Sequence, residues 1–556
     1  MSKNQLIFYS NKFKAIFFYL VSNSTYLFLL SFVLKFCNQK QISLQSQIKE
    51  MNLVSPPPKI SFWIYEEIVY FLPLMVFILI SGTLLSYLSQ KLIPLKLASD
   101  HFLLTFILTL LLILPSQEAY FSPRRSFEYS LALVSFFLAY IYLRDHFISG
   151  FKNKLRFSYN QLIFFGVLLS TLQRLQSLWI DSYELFVFDD PFTYYNTSKS
   201  FLTGPIQIPE AYNPGMFFYL YSVLQIFGEG HLFPKLIMVF WSSLGLYYLS
   251  LFIKNFFHSE DLSLIAILIY LTSSHYVEFS NQYFNENIFH PTLSIFLYQT
   301  HFLSSGKSSR KSLGHILSLL LMIGLTLMRS WFPPFGIFWY FYLLLSNKKP
   351  KNHFFKLLLI YSLILLFYII SMYSYNFYFH NKIRFLVIDA FKLNFIIGNN
   401  PYSHGTFTWH WLHFQNENHF YTDSDGYKIL IRYLRDHPIF WIKLLFQKSI
   451  VWFLGAGNPR PQNNFYMQPI HFAQYFYRFL SFLLLILGSI RLLRSKKFIV
   501  FPILYLIVLG IHLLIFVEHR GVLSIMPLST ILMSMGILEL KQFAKNSSFF
   551  KTKITY

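Results

Sequence analysis

The chain has 556 residues, of which 54% are hydrophobic and 13% charged, and its mean hydropathy is +0.44. A soluble chain carries about 25% charged residues, so this composition cannot cover a water-facing surface and excludes a string of soluble domains. The net charge of +22 would point to nucleic acid in a soluble protein, but in a membrane chain it is first a loop bias. The single cysteine, Cys37, excludes an internal disulfide and a cysteine metal cluster.

In chain order, apolar runs lie near 15–34, 66–88, 100–115, 129–143, 160–180, 235–253, 261–275, 288–303, 313–329, 332–346, 355–375, 473–493, 498–517 and 521–539. They predict an all-α polytopic membrane protein with about fourteen spans. The runs 100–115, 129–143, 261–275 and 332–346 fall short of the roughly 20 residues a crossing needs, so they are expected to extend into their flanks, or one pair to be re-entrant. The first run follows Lys3, Lys12 and Lys14 without a small-x-small cleavage site and reads as a retained anchor. The expected division is a four-span extension over 1–159, a membrane core over 160–375, a long outer loop over 376–472 and a three-span end over 473–556.

Lys and Arg orient these spans. With a cytoplasmic N-terminus, the inside segments carry 25 basic residues and the much longer outside segments 17. The density is thus roughly threefold higher inside, as the positive-inside rule requires. The clusters Lys307/Arg310/Lys311, Lys348/Lys349/Lys351 and Arg491/Arg494/Lys496/Lys497 read as topology signals and lipid contacts, and nucleic acid is not expected as a partner. Both long loops, near 181–234 and 376–472, then face outward, and no glycine-rich phosphate loop lies on the inner side. Chemistry is therefore expected on the extracytoplasmic face of a multi-pass plasma membrane protein.

The outer loops read as amphipathic platforms. Asp190-Pro191 is an N-cap followed by proline and Gly204 closes the segment, so 191–203 is predicted helical. The turn Asn213-Pro214-Gly215 leads into the apolar run Met216 to Phe227, too short to span. The segment from His437-Pro438 to Phe453, interrupted by Lys443 and Lys448, is expected to lie in the interface. The adjacent acids Asp189 and Asp190 repel, which favours a proton on one and suits a general base. Asp190 has an alternative role as a helix cap; Asp189 has no such local explanation.

The order of span, acidic pair, short helix, Asn213-Pro214-Gly215, apolar run and Lys235 resembles the first outer loop of GT-C fold glycosyltransferases. It is most similar to the protein O-mannosyltransferases and the aminoarabinose lipid A transferases. Gly398-Asn399-Asn400-Pro401, Gly405-Thr406-Phe407, the stretch from Tyr427 to Lys448, and the ending His519-Arg520, Pro527, Gly536 resemble later motifs of that group. Two features depart from it: four spans precede the span before the acidic pair, and the family's Asp-Glu stands here as Asp-Asp.

The resemblance implies transfer of a sugar from a polyprenyl-phosphate carrier to a lipid, glycan or protein acceptor, with inversion. Asp189 would be the base, supported by Asp190. Arg329, Lys448, His519 and Arg520 would meet the donor phosphate, where developing negative charge needs stabilisation. Glu286 would hold the acceptor or a metal; no cofactor is required. Plainer readings stand beside these. Arg329 and Lys448 can snorkel to headgroups. His519-Arg520 can pair with Glu518, and Arg174 with Asp181 or Glu184. Glu286 can be a simple span end, and His404, His410 and His413 lack zinc spacing. A surface polysaccharide polymerase or ligase is the alternative function; a lipid-linked glycan transporter fits less well, since polar residues lie in loops and no repeated halves are visible.

Overall fold

The structure is a computed structural model and describes residues 158–180, 190–209, 212–273, 282–305, 311–346, 351–383, 391–403, 411–454, 472–495, 498–515, 517 and 521–546. The expectations for the first four runs, and for Asp181, Glu184, Asp189, His404, His410, Glu518, His519 and Arg520, lie outside the described residues. Nearly all that is described belongs to one compact unit made of Phe157–Pro459 and Phe479–Tyr556.

Every regular element among the described residues is a helix. In chain order these are α1 (Tyr159–Ile180), α2 (Asp190–Ser200), α3 (Gly215–Phe227), α4 (Leu232–Phe257), α5 (Glu260–Thr272), α6 (Asn285–Ser304), α7 (Lys311–Met328), α8 (Phe332–Ser346) and α9 (Lys351–His380). There follow α10 (Phe391–Asn399), α11 (Trp411–Asn418), α12 (Asp423–Asp436), α13 (Pro438–Leu454), α14 (Phe472–Leu493), α15 (Val500–Leu514), α16 (Gly521–Ser524) and α17 (Met526–Asn546). Each apolar run from 160 onward is helical, the last of them divided between α16 and α17. Among the described residues two segments, Leu232–Phe257 and Phe354–His380, are long and apolar enough to cross a membrane by length and composition.

Of the four short runs two are described: α5 has 13 residues and α8 has 15, and at 1.5 Å per residue both are shorter than a hydrocarbon layer about 30 Å thick, a length that suits the re-entrant alternative. The sequence around α5 explains its sharp start: the Ser259 hydroxyl accepts from Leu262 N at 3.2 Å, and Glu260 and Asp261 occupy the first turn. Its neighbour Lys254 binds Glu260 at 2.9 Å and lies 3.6 Å from the Tyr159 ring centroid.

Helix α6 is the hub of the unit. It packs on α4 and α7 and also reaches α3, α8, α16 and α17. Residues Asn285 to Leu297 are buried without a break, so its polar first turn is enclosed by protein. By contrast α9 exposes Phe355, Leu359, Leu366, Phe367 and Phe377, as a lipid-facing helix would.

The segment carrying α10 to α12 has a core of its own, built from Phe395, Ile396, Phe414, Phe420, Leu430 and Leu434. Helix α12 begins with a reciprocal cap: Thr422 Oγ1 accepts from Asp425 N at 3.2 Å and donates to Asp425 Oδ2 at 2.7 Å. Helix α13 exposes Ile439, Ile442, Phe446 and Ile450 on one side, in keeping with the interfacial reading.

At the C-terminal end, Arg491 and Arg494 bind Glu539 at 2.7 and 3.0 Å, joining α14 to α17. These two helices approach so closely that a Cβ on Gly488 would strike the Leu532 carbonyl, and one on Gly536 the Leu484 carbonyl. Gly488→Leu or Gly536→Leu should cost about 1–3 kcal/mol of stability by overpacking, read as a lowered thermal midpoint in detergent. Gly510→Ala, where a Cβ meets nothing within 4 Å, should leave the midpoint unchanged or higher.

Candidate functional site

Four elements meet around the first turn of α6. Asn285 is the organiser: its Oδ1 accepts from Met216 N at 3.1 Å, and its Nδ2 donates to Tyr194 OH at 2.6 Å. It thereby satisfies one of the free N–H groups at the start of α3 and ties down α2. The turn Asn213-Pro214-Gly215 is fastened from the other side, since Asn213 Oδ1 accepts from Ser330 N at 3.1 Å, between α7 and α8. Gly215 packs closely there: a Cβ would overlap the Met328 side chain, which would have to move.

Glu286 and Arg329, both read from the sequence as candidates, come together as an ion pair 43 residues apart in the chain. The Glu286 side chain is 2% exposed and that of Arg329 19%. Glu286 also sits in the first turn of α6, where the positive end of the helix dipole favours a carboxylate. The plainer reading of Glu286 as an exposed span end is therefore incorrect, and so is that of Arg329 as a free headgroup contact. Asp190 is the first residue of α2 rather than a cap ahead of it, is half-buried, and the helix ends at Ser200 rather than 203; Asp189 is the residue just before the described helix.

Beside this pair, Tyr195 stacks on Tyr283 with ring centroids 5.8 Å apart, and His231 Nδ1 lies 3.1 Å from Tyr283 OH. Burial, with help from nearby Lys235, pulls the His231 pKa down to about 4, so the ring is neutral at ordinary pH. Lys235 falls inside α4 and is buried, rather than preceding the span. Arg174 is fully buried in α1 and donates to Ser170 O at 3.1 Å, near the Tyr270 ring.

Lys448 is neither a snorkelling lysine nor an open phosphate contact. It is 0% exposed, and its ammonium donates to Asn399 Oδ1 at 2.9 Å, to Leu513 O at 2.9 Å and to Ile515 O. An ammonium has three protons, and all three are committed here. Asn399 Nδ2 donates in turn to Leu514 O at 2.9 Å. Side chains from α10 and α13 thus cap the orphan carbonyls that end α15, where a cation is also favoured by the helix dipole.

Residues 211–422, less than half of the chain, match the model of the Alg9-like mannosyltransferase family. The chain is GT-C mannosyltransferase-like. Such families are membrane glycosyltransferases that use a lipid-linked sugar donor. No curated protein and no solved structure matches the chain. The matched mannosyltransferase-like stretch contains Glu286 and Arg329; the acidic pair, Lys448 and His519-Arg520 fall outside it. The match agrees with the GT-C resemblance at the level of an all-α membrane glycosyltransferase, and the matching model is the Alg9-like one and not that of the O-mannosyltransferases.

Several site residues escaped the sequence reading. Asn285, Tyr194, Trp331 and His512 carry no spacing signal, although His512, an ionisable residue inside an apolar run, is a functional marker on general grounds.

Two predictions follow from these buried charges. Arg329→Met leaves Glu286 buried without its counter-charge and should cost about 3–5 kcal/mol in denaturation, whereas Glu286→Gln with Arg329→Met should recover most of that loss. For Lys448, burial lowers the pKa to about 7, against about 10.4 in an unfolded chain. Below pH 7 both states hold the proton and its burial penalty is constant. Between about 7 and 10 the unfolded chain keeps a proton that the folded one has released, so stability rises with pH. Lys448→Met should remove that slope, measured as the pH dependence of the thermal midpoint against wild type.

Proposed function

We propose that the protein transfers a hexosyl or pentosyl unit from a polyprenyl-phosphate carrier to an acceptor at the extracytoplasmic face of the plasma membrane, with inversion. The observation that carries the reading is the enclosed Glu286–Arg329 pair, within the stretch that matches a mannosyltransferase family and fastened to the first outer loop through Asn285 and Tyr194. A guanidinium held by a buried carboxylate is a fixed cation. Fixed charge stabilises a transition state best because it need not reorganise.

Asp189 takes the proton of the acceptor hydroxyl or phosphate. The acceptor oxygen then bonds to the anomeric carbon as the bond from that carbon to the carrier phosphate breaks, and the phosphate leaves with the electron pair. Asp190 begins α2 and supports its neighbour. Arg329, His519 and Arg520 meet the departing phosphate. Lys448 serves them by position, holding the end of α15 a few residues before His519-Arg520. Glu286 orients Arg329 and borders the acceptor. No cofactor enters the reaction.

The test uses purified full-length protein with polyprenyl-phosphate sugars and candidate acceptors. Asp189→Asn should lower the transfer rate about 10²–10⁴-fold, the usual worth of a general base, while donor binding and the thermal midpoint stay near wild type. Undiminished transfer by a folded Asn variant would remove Asp189 from the base role.

A further inference from the structure

Two enclosed nitrogens next to Arg329 have no hydrogen-bond partner: the indole Nε1 of Trp331 and the imidazole Nε2 of His512. Their side chains are 9% and 5% exposed, and their rings meet edge to face with centroids 6.2 Å apart. Buried polar atoms are paired in nearly all cases, so two orphans in contact call for an occupant that the protein does not itself supply.

The surroundings state what kind of occupant. Arg329 lies two residues before Trp331 and near enough to act electrostatically on the His512 ring. On the far side of that ring stands Trp452, with centroids 4.9 Å apart, but its own Nε1 is already spent on Tyr505 OH at 3.1 Å. The turn that carries His512 is the one whose carbonyls Lys448 and Asn399 hold, so the ring is placed by a fully bonded cap. An indole N–H only donates, a guanidinium only donates, and a neutral imidazole donates from Nε2 in one tautomer. Three donors on neighbouring side chains, one of them cationic, suit an anion with several acceptor oxygens.

We propose that Trp331 Nε1 and His512 Nε2, together with Arg329, form the pocket that takes the phosphate group of the lipid-linked sugar donor. This rests on the reading of the protein as a polyprenyl-phosphate sugar transferase and adds two donor contacts to it. Trp331 and His512 come from the α7–α8 corner and the end of α15, which lie far apart in the chain.

The test measures binding of undecaprenyl phosphate to the full chain in detergent, with the undecaprenyl alcohol and inorganic phosphate as competitors. Trp331→Phe keeps the ring and deletes the N–H; His512→Phe deletes the imidazole nitrogens, and His512→Gln restores an amide donor. Loss of a hydrogen bond to a charged group should weaken binding about tenfold in Trp331→Phe and His512→Phe, with most affinity kept in His512→Gln and little competition from alcohol or inorganic phosphate. Wild-type affinity in Trp331→Phe and His512→Phe, from a protein that itself binds the lipid and transfers sugar, would overturn the pocket while leaving the transferase reading intact. Displacement by inorganic phosphate as effective as by the lipid would also overturn it, in favour of a free-anion site. A wild type that binds no polyprenyl phosphate would instead sink the transferase reading itself. Where His512→Phe does not fold, the milder Trp331→Phe decides alone.

Discussion

The buried ion pair between Glu286 and Arg329 is the constraint on which this end of the bundle depends. A carboxylate almost without solvent is costly in a chain of this hydrophobicity, and it is tolerable only where a helix N-terminus and a guanidinium both face it. That requirement sets where α6 begins relative to the α7–α8 corner. Once these are set, Asn285 can reach both Met216 N and Tyr194 OH, and the first outer loop is held against the bundle. The polar first turn of α6 is therefore a joint, and the apolar remainder of that helix is what makes the joint rigid.

A second joint uses the same physics at a helix C-terminus. The last carbonyls of α15 have no partners within their helix; the buried side chains of Lys448 and Asn399 supply the donors from α13 and α10. Between the two joints lie Trp331 and His512. Residues brought from the first loop, the α7–α8 corner, the late loop and the end of α15 thus converge without any of them being near the others in sequence.

Much of this was legible beforehand, element by element. The apolar runs from 160 onward are helices, the Asp190-Pro191 motif opens one, and the run Met216 to Phe227 forms a helix packed beneath the loop. Glu286 and Arg329 were both visible as candidates, because charge in an apolar stretch is expensive and so informative. Their partnership was not visible, since 43 residues and a full hairpin separate them. Lys448 illustrates the opposite case. Its type and its interfacial helix suggested a headgroup or phosphate, and only packing shows that its protons are consumed by backbone carbonyls.

What the sequence determined by itself is the class of solvent and the period of the chain: an all-α membrane protein, whose sugar-transferase resemblance follows from short motifs. Those properties are local, set by hydropathy, capping and loop charge over windows of a few to twenty residues. The tertiary structure alone decided which charges neutralise each other, which lysine is consumed by a helix end, and which buried nitrogens are left without partners. These depend on contacts between distant segments, where the low dielectric makes a pairing either necessary or prohibitive, and no local pattern carries that information.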